Sequence, residues 1–566
     1  MPVADDSNAS IASLPVHLHI NHQVTEAKSG STVFDCAERI GVKVPTSCRK
    51  QGKCRECIVE VTSGESLLSQ RSPEEARLLE GFRLSCRCRI QAEEGEIHCH
   101  TMRRGSLRIT QEAYELPVGH RDFRLEPAIT RDGERVLLDG VEIDRRQGAL
   151  HGLAIDIGTT TVVLRLFNLE NGQLLASSSF ENPQRFGGSD VMARIQFDTL
   201  DGSRSLQRTL CGYLGHAIEE LPVDAQSIYE IVIAGNSTMR DLFFRLNVHS
   251  IGQSPYQSIT EHEMAAGQRN STVVESTAGR LGLPVHPKAR VYGMPIISGH
   301  VGADTAACML ATDIANEDRL IAIMDIGTNT ELILGNRHRI MAASCPAGPA
   351  FEGGQLSCGM PGLPGAIESV TWDAGAGAFR TTVIGGGPAE GLCGSGLVDL
   401  FSELIRIGRM NRLGRFEWEE ELIMVDGDAD PPVTLNESDA NILAQAKGAN
   451  VAGLQIIFQQ YGVTTRDLDV FYLAGGFGRH LNLESSKRIG LIPNIPTGKI
   501  RQVGNASIEE PASPFSPRRN AGILNPWSGG LNTAASKPIR AFSMFSSRDA
   551  SLRPLRAFPG RERTHD

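Results

Sequence analysis

The chain has no apolar run approaching 18 residues, which excludes a membrane-spanning helix. Its opening, MPVADDSNAS, holds no basic stretch followed by an apolar one, so nothing there reads as an export signal. Positive charge is not in excess: 56 Lys and Arg against 66 Asp and Glu give a net charge of −10, which argues against nucleic acid as the main partner. These absences together predict a cytoplasmic protein with no membrane attachment. A disulfide framework is missing too. Of 12 cysteines, Cys36, Cys48, Cys54, Cys57, Cys86 and Cys88 crowd into the first 90 residues. In a chain without an export signal, close-set cysteines bind metal more often than they pair.

At 566 residues the chain has room for two to four domains, and 40% hydrophobic content suffices for real cores. Near the front, VHLHI alternates as a strand does, and STVFDCAERIGV reads as a helix capped by Ser31 or Thr32 and stopped near Gly41. The loop PTSCRKQGKCREC then places Cys48, Cys54 and Cys57 at C-x5-C-x2-C spacing. A strand, IVEVTSGE, follows, and Cys86 arrives 29 positions after Cys57 in GFRLSCRC.

A close-set trio with one distant cysteine resembles the plant- and adrenodoxin-type 2Fe-2S ferredoxin domain, a β-grasp fold in which each iron receives two thiolates. The resemblance covers residues 14–101 and implies Cys48, Cys54, Cys57 and Cys86 as the metal ligands. A structural zinc site, the alternative, favours two C-x2-C pairs and finds only one. Cys88 would point to the same side as Cys86 on a strand and competes for the fourth position; the RLSC context favours Cys86. Cys36, on the helix, reads as core. The glycines usual beside the first and second ligands are missing, with Arg49, Lys50 and Arg55 standing there. Together with Lys53 they predict a basic face that stabilises the reduced cluster and docks an acidic partner. Residues 102–150 read as a charged linker with a short strand or two.

The rest is organised around a stretch that occurs twice. GLAIDIGTTTVVLRLFNLENGQ, residues 152–173, returns as LIAIMDIGTNTELILGN, residues 320–336, with the aspartates 169 positions apart. Each copy predicts a β-hairpin whose tip holds a carboxylate, a glycine and hydroxyls: Asp156, Gly158, Thr159 and Thr160, then Asp325, Gly327, Thr328 and Asn329. Glycine lets backbone N–H groups approach an anion, and hydroxyls add donors to phosphate oxygens. A carboxylate facing those phosphates calls for a cation between them, which implies Mg²⁺ held by Asp156 or Asp325. Two such copies suggest a duplicated domain closing on one ligand.

Between the hairpins, QRFGGSDVMARIQF and LQRTLCGYLGHAIEEL read as helices, the first with Asp190 and Arg194, and IYEIVIAGNSTM as a strand ending at Gly235 and Asn236. ISGHVGADTAACMLAT reads as a helix with Asp304 near its start. After the second hairpin, AGPAFEGG offers Glu352 as the candidate that activates a water. Gly394, Ser395 and Gly396 open a helix where an anion could be cradled. The strand LDVFYLAGGFGRH delivers Gly475, Gly476 and Gly478, on which an adenine ring could lie with Arg479 stacking nearby.

Two DIGT hairpins and an AGGFG strand end resemble the phosphate 1, phosphate 2 and adenosine segments of the acetate and sugar kinase, heat-shock chaperone and actin (ASKHA) superfamily, a ribonuclease H-like fold. Joined to a ferredoxin-type front, and with GNSTM, SGHVGAD, AGPAFEGG and GLCGSG in order, the pattern resembles the reductive activators of corrinoid proteins over residues 14–508. The resemblance implies an α/β multidomain protein, with a 2Fe-2S domain at 14–101, a linker at 102–150, and ATPase lobes at 151–310 and 311–508. It also implies an iron-sulfur electron-transfer enzyme that uses ATP to pass one electron to the inactive Co(II) corrinoid of a methyltransferase system, reloaded by an upstream electron donor; a homodimer is left open. A small-molecule kinase with an accessory cluster, or a redox-sensing ATP-binding interaction protein, are the competing readings. Residues 509–566, rich in Pro, Ser, Gly and Arg without lasting periodicity, depart from the family and predict a disordered or aberrant tail.

Overall fold

The computed structural model describes residues 15–21, 23–102, 127–417, 421–429, 431–476, 478–504 and 531–533. At the front, β1 (Val16–Ile20) and β2 (Gln23–Ala27) form a hairpin, and α1 (Val33–Arg39) follows. Thr32 Oγ1 accepts from Asp35 N at 3.0 Å, so the helix starts at a cap that the sequence marks. β3 (Ile58–Ser63), β4 (Phe82–Leu84) and β5 (Gly95–Thr101) complete a sheet in the order β2-β1-β5-β3-β4, with β1 and β5 parallel.

The expected linker is more ordered than its charge suggests. β6 (Ile129–Asp132), β7 (Arg135–Leu138) and β8 (Val141–Arg145) form a three-stranded sheet rather than a strand or two. Ile129 and Val136 alternate inward and pack with Phe167, Tyr229 and Val232, so the segment is fastened to the lobe that follows. Tyr229 Oη donates to Asp144 Oδ2 at 2.5 Å across the same contact. Residues 103–126 of that linker lie outside the described residues.

The first lobe comprises β9 (His151–Ile157), β10 (Thr161–Asn168), β11 (Leu174–Glu181), α2 (Val191–Asp201), α3 (Ser205–Glu219), β12 (Ile228–Gly235), α4 (Ser237–Phe243), α5 (Ile259–Ala265), β13 (Val274–Thr277), α6 (Ala278–Leu281), β14 (Arg290–Gly293) and α7 (Ala303–Ala311). Its sheet runs β11-β10-β9-β12-β14-β13. Every residue of β12 is buried, which is why IYEIVIAG reads as a continuous run and not as an alternation.

The second lobe begins with β15 (Ile321–Ile326), β16 (Thr330–Asn336) and β17 (Arg339–Cys345). β18 (Ala366–Asp373), β19 (Ala378–Val383) and β20 (Gly391–Leu392) form a small side sheet ahead of α8 (Gly394–Arg406). Then come β21 (Leu422–Asp426), β22 (Val433–Asn436), α9 (Glu437–Tyr461), β23 (Val470–Ala474), α10 (Leu483–Ile489) and β24 (Ile500–Gly504). The main sheet runs β24-β23-β15-β16-β17-β25, the last strand being β25 (Leu531–Thr533). In both lobes the third, second, first and fourth strands lie side by side, antiparallel through the hairpin and parallel beyond it.

β25 corrects part of the expected disorder of the tail. It pairs in parallel with β17, an edge strand whose free N–H and C=O groups accept another strand whatever its side chains. Residues 505–530 and 534–566 lie outside the described residues. Among the described residues no helix is long and apolar enough to cross a membrane.

Candidate functional site

The cysteine loop and the strand ends beside it bring four thiols together in two pairs. Pairing of Ile58 with Leu84 sets Cys57, just before β3, beside Cys86, just after β4, and their sulfurs lie 3.2 Å apart. Cys48 and Cys54 form the second pair. Burial raises the Cys48 thiol, but hydrogen bonds from Cys54 and from the Gln51 and Lys53 amides outweigh it and bring the group to about 7. Two pairs of thiols, none joined in a disulfide, are the donor set that two irons require.

Cys88 goes elsewhere. Residues 85–87 turn, with the amides of Arg87 and Cys88 both donating to Leu84 O, so the expected same-side strand geometry of Cys86 and Cys88 does not occur. Burial pushes Cys88 up to about 12, and it lies in the apolar interior with Cys36 and Cys99. Cys36 is core, as its helix position suggests.

The missing glycines of the loop have a visible cost and a visible use. Arg49, Lys50 and Arg55 hold φ values of 52°, 64° and 58°, the left-handed region in which glycine is unstrained. Lys50 Nζ bonds Asp35 at 2.9 Å and Glu38 at 2.8 Å. Arg55 Nη1 bonds Asp201 Oδ1 at 2.5 Å and Ser203 Oγ at 3.2 Å. The expected basic docking face is therefore reduced to Arg49 and Lys53, which are exposed; of the other two charges, Lys50 is paired at the surface and Arg55 with the buried Asp201.

Between the lobes opens a cleft of about 530 Å³ at the carboxyl ends of the parallel strands, where open α/β sheets bind ligands. Both hairpin tips line it, with Asp156, Gly158, Thr159 and Thr160 on one side and Asp325, Gly327, Thr328 and Asn329 on the other. Glu352 joins them. Thr160 Oγ1 donates to Glu352 Oε2 at 2.7 Å, Thr328 Oγ1 bonds the same oxygen, and the two hydroxyls lie 2.9 Å apart. Asn236 Nδ2 donates to Thr159 Oγ1 at 3.0 Å.

Gly394 and Ser395, at the start of α8, also line the cleft. The helix has no side-chain cap, so its first amides are free to meet an anion. Gly475 has φ +90°, and a Cβ there would lie 2.6 Å from Ile326 O and 2.7 Å from Asp325 Oδ1, so only glycine fits. Gly476 faces open space.

Three expectations need correction. Gly396 does not line the cleft; a Cβ would lie 2.3 Å from Ile367 O, so its role is to let α8 sit against β18. Gly478 packs on Leu473 instead of facing the cavity. Arg479 is not in the lining, where His480 and Glu368 stand instead.

The electrostatics of the cleft are one-sided. Asp156, Asp304, Asp325, Glu331, Glu352 and Glu368 line it, with no Lys or Arg among the described lining residues. Burial and the charges of Asp156 and Asp325 push Asp304 up to about 7. Burial, then Asp156 and Glu352, push Asp325 to about 6 against the thiol of Cys308, 3.2 Å away. Glu331 is driven well above the carboxylate range by burial and by Asp304 and Asp325, and Glu352 is raised by burial against its two threonine bonds. Carboxylates so placed invite a divalent cation. Glu331, Glu368 and His480 escaped the sequence reading, and Asp304 entered it only as a helix start.

One helix, α2, runs from behind Glu352, without itself lining the cleft, to the cysteine loop. Near its start, the fully buried Arg194 donates to Gly188 O at 3.0 Å; burial lowers it to about 9 against the pull of Asp190 and Glu352. At its end, Asp201 takes Arg55. Burial would raise Asp201, but hydrogen bonds from Ser203 and Ser205 and the charge of Arg55 hold it below the usual range. Thr209 Oγ1 donates to Arg55 O at 3.2 Å, Tyr213 Oη accepts from Met102 N at 3.1 Å, and a single apolar core runs from Leu18, Cys57 and Leu84 to Leu210 and Leu214.

Comparison with known proteins agrees with this layout. Residues 16–91 match the 2Fe-2S iron-sulfur cluster binding domain, 151–317 the RACo middle region, and 319–517 the C-terminal domain of RACo, the ASKHA domain. The corrinoid activation enzyme RamQ of Eubacterium limosum is 27% identical over 558 residues, covering 88% of this chain and 92% of that one. A Co(II) methylated amine-specific corrinoid protein reductase of Methanosarcina barkeri is 24% identical, covering 63% and 68%. A solved structure titled reductive activator for corrinoid, iron-sulfur protein shares the fold with a TM-score of 0.69 at 24% identity, covering 95% of this chain and 98% of that chain. With the cluster-binding, middle and ASKHA domains in this order, the chain belongs to the RACo family.

Proposed function

We propose that the protein is an ATP-dependent reductive activator that delivers one electron to the Co(II) corrinoid of a methyltransferase partner and restores Co(I). The observation that carries this reading is the presence of two thiol pairs and a carboxylate-rich cleft in one chain, with α2 running from behind Glu352 to the cysteine loop, in a chain whose relatives are named as corrinoid activators. Cys48 and Cys54 would hold one iron, Cys57 and Cys86 the other. Bound there, a 2Fe-2S cluster supplies one-electron chemistry at about −400 mV. Each 100 mV uphill costs about 2.3 kcal/mol for one electron. The nucleotide therefore has to favour a partner state in which the cobalt is easier to reduce.

The amides around Gly158, Gly327 and the start of α8 suit the phosphates of ATP, and the open backbone at Gly476 suits the adenine. Phosphates entering a cleft lined by carboxylates need Mg²⁺, for which Asp156 and Asp325 are the candidates. Glu352, oriented by Thr160 and Thr328 and raised toward neutral, is suited to take a proton from an attacking water. Closure of the tips on nucleotide would shift Glu352, whose charge acts on Arg194, and α2, about 16 Å long, would pass a movement to Arg55 and the cysteine loop. The free state of all 12 cysteines fits a reducing compartment such as the cytoplasm, where an upstream donor would reload the cluster.

The test is anaerobic. Reduced protein, a cognate Co(II) corrinoid protein and ATP are mixed while Co(I) absorption is followed. Co(I) should form with ATP and not without it, and Cys57→Ser should abolish it. If the protein binds nucleotide and its cluster is reduced, yet no cognate corrinoid protein yields Co(I), the reading fails.

A further inference from the structure

The outward face of the ferredoxin sheet carries an arrangement that the cysteine loop does not use. β1 and β5 run in register, His17 opposite Glu96 and His19 opposite His98. Side chains alternate along a strand, so Leu18, Ile20, Ile97 and Cys99 enter the core while His17, His19, Glu96, His98 and His100 share the outer face. Four of the chain's 15 histidines thus stand on two adjacent strands.

Three of these side chains converge. The imidazoles of His19 and His98 stack with centroids 4.0 Å apart and planes within 9° of parallel. His98 Nε2 lies 3.6 Å from Glu96 Oε2. One ligand atom from each of His19, Glu96 and His98 lies within 4.8 Å of the other two. His19 Nε2 is closed off from solvent and has no hydrogen-bond partner. Leaving such an atom unsatisfied is unfavourable, and a ligand in reach of it would relieve that.

We propose that His19, His98 and Glu96 form a site for a divalent transition-metal cation of the zinc type, separate from the cysteine loop. Two imidazole nitrogens and one carboxylate oxygen suit Zn²⁺, with water completing its tetrahedron; because ring nitrogens donate in the ring plane, binding requires one of the stacked rings to turn so that both nitrogens face the ion. The ligands come from both parallel strands, so a bound ion ties β1 to β5 within the sheet that carries the cysteine loop. The site rests on this sheet alone and is independent of the corrinoid reading.

The test uses untagged protein purified anaerobically with its cluster in place, and Zn²⁺ alone as the probe. Calorimetry should show micromolar binding of one ion while the visible absorption of the cluster stays unchanged. His19→Asn and His98→Asn should each weaken binding at least about tenfold, since even residues that only support metal ligands cost that much when lost. Absence of micromolar binding, affinity unchanged in both variants, or bleaching of the cluster in step with zinc uptake overturns the site. If a variant does not fold, footprinting of the natural chain decides. Zinc should shield His19 and His98, but not the exposed His338, from diethyl pyrocarbonate, read by mass spectrometry. Modification of His19 and His98 that zinc does not slow sinks the proposal.

Discussion

The two hairpins share the string Asp-Ile-Gly-Thr, yet they do not put equivalent residues in equivalent places. In the first, the strands close on Ile157 and Val162, leaving 158–161 in the turn; in the second they close on Ile326 and Thr330, leaving only 327–329. One extra residue slides the outgoing strand by one, and a slip of one moves every side chain to the other face. Opposite Asp156 therefore stands Val163, whereas opposite Asp325 stands Glu331. The hydroxyls that meet on Glu352 are likewise Thr160 and Thr328, while Thr159, the counterpart of Thr328 in the string, is held by Asn236. The second hairpin thus carries an extra carboxylate into the cleft, and the first is backed by an aliphatic side chain.

The largest expected effect tests where the tips meet. Glu352→Gln should lower ATP turnover about 10²–10⁴-fold, the usual contribution of a general base. Thr160→Ala should lower it more than Thr159→Ala; the reverse order would mean that the offset of the turns has no bearing on the chemistry.

The glycines of the turns sharpen the contrast on stability. A Cβ at Gly158 would lie 2.6 Å from Thr161 O, whereas at Gly327 the nearest atom, Asn329 O, is 3.3 Å away. Gly158→Ala should cost about 1–3 kcal/mol in urea unfolding and Gly327→Ala clearly less. Equal losses would show the turns to be interchangeable.

The paired carboxylates predict a smaller, opposite change. Glu331→Gln should stabilise the nucleotide-free protein by about 0.5–2 kcal/mol, as removal of functional strain commonly does, and should weaken Mg²⁺-dependent ATP binding. Val163→Gln, at the matching place in the first hairpin, should give no such gain. Melting curves in EDTA, paired with nucleotide titrations, separate the two.

The smallest effect is on pH dependence. Asp304 at about 7 and Asp325 at about 6 hold protons in the folded state that the unfolded chain has released above about 4. Their contribution is favourable below that value and is lost as pH rises through 6 and 7. Metal-free protein should melt at a lower temperature at pH 7.5 than at pH 5, and saturating Mg²⁺ with ATP should flatten the slope. A slope indifferent to the cation would speak against metal at these carboxylates.

Much of this was legible beforehand, for reasons that differ by region. The cysteine loop announces itself because the spacing of three ligands within one short loop is local, even though the fourth, Cys86, arrives by strand pairing. The choice of Cys86 over Cys88 was a matter of context until the turn at 85–87 separated them. Lys50 and Arg55 looked like docking charges because their partners, Asp35, Glu38 and Asp201, lie on other elements. Glu331 stayed hidden because the offset between the hairpins depends on where the strands begin to pair, and aligned strings do not show that.

Residue order alone determined what is local: the three thiols of one loop, the two phosphate-type tips, the capped helices and the family to which the chain belongs. Tertiary structure alone decided which carboxylates share the cleft, which glycines are packing and which are lining, and that α2 ends on the arginine of the cysteine loop. The physical reason is that spacing along the chain sets donor chemistry and turn type, while electrostatic and packing partners come from other elements, some far along the chain, such as Arg55 and Asp201, brought together only by the shared core.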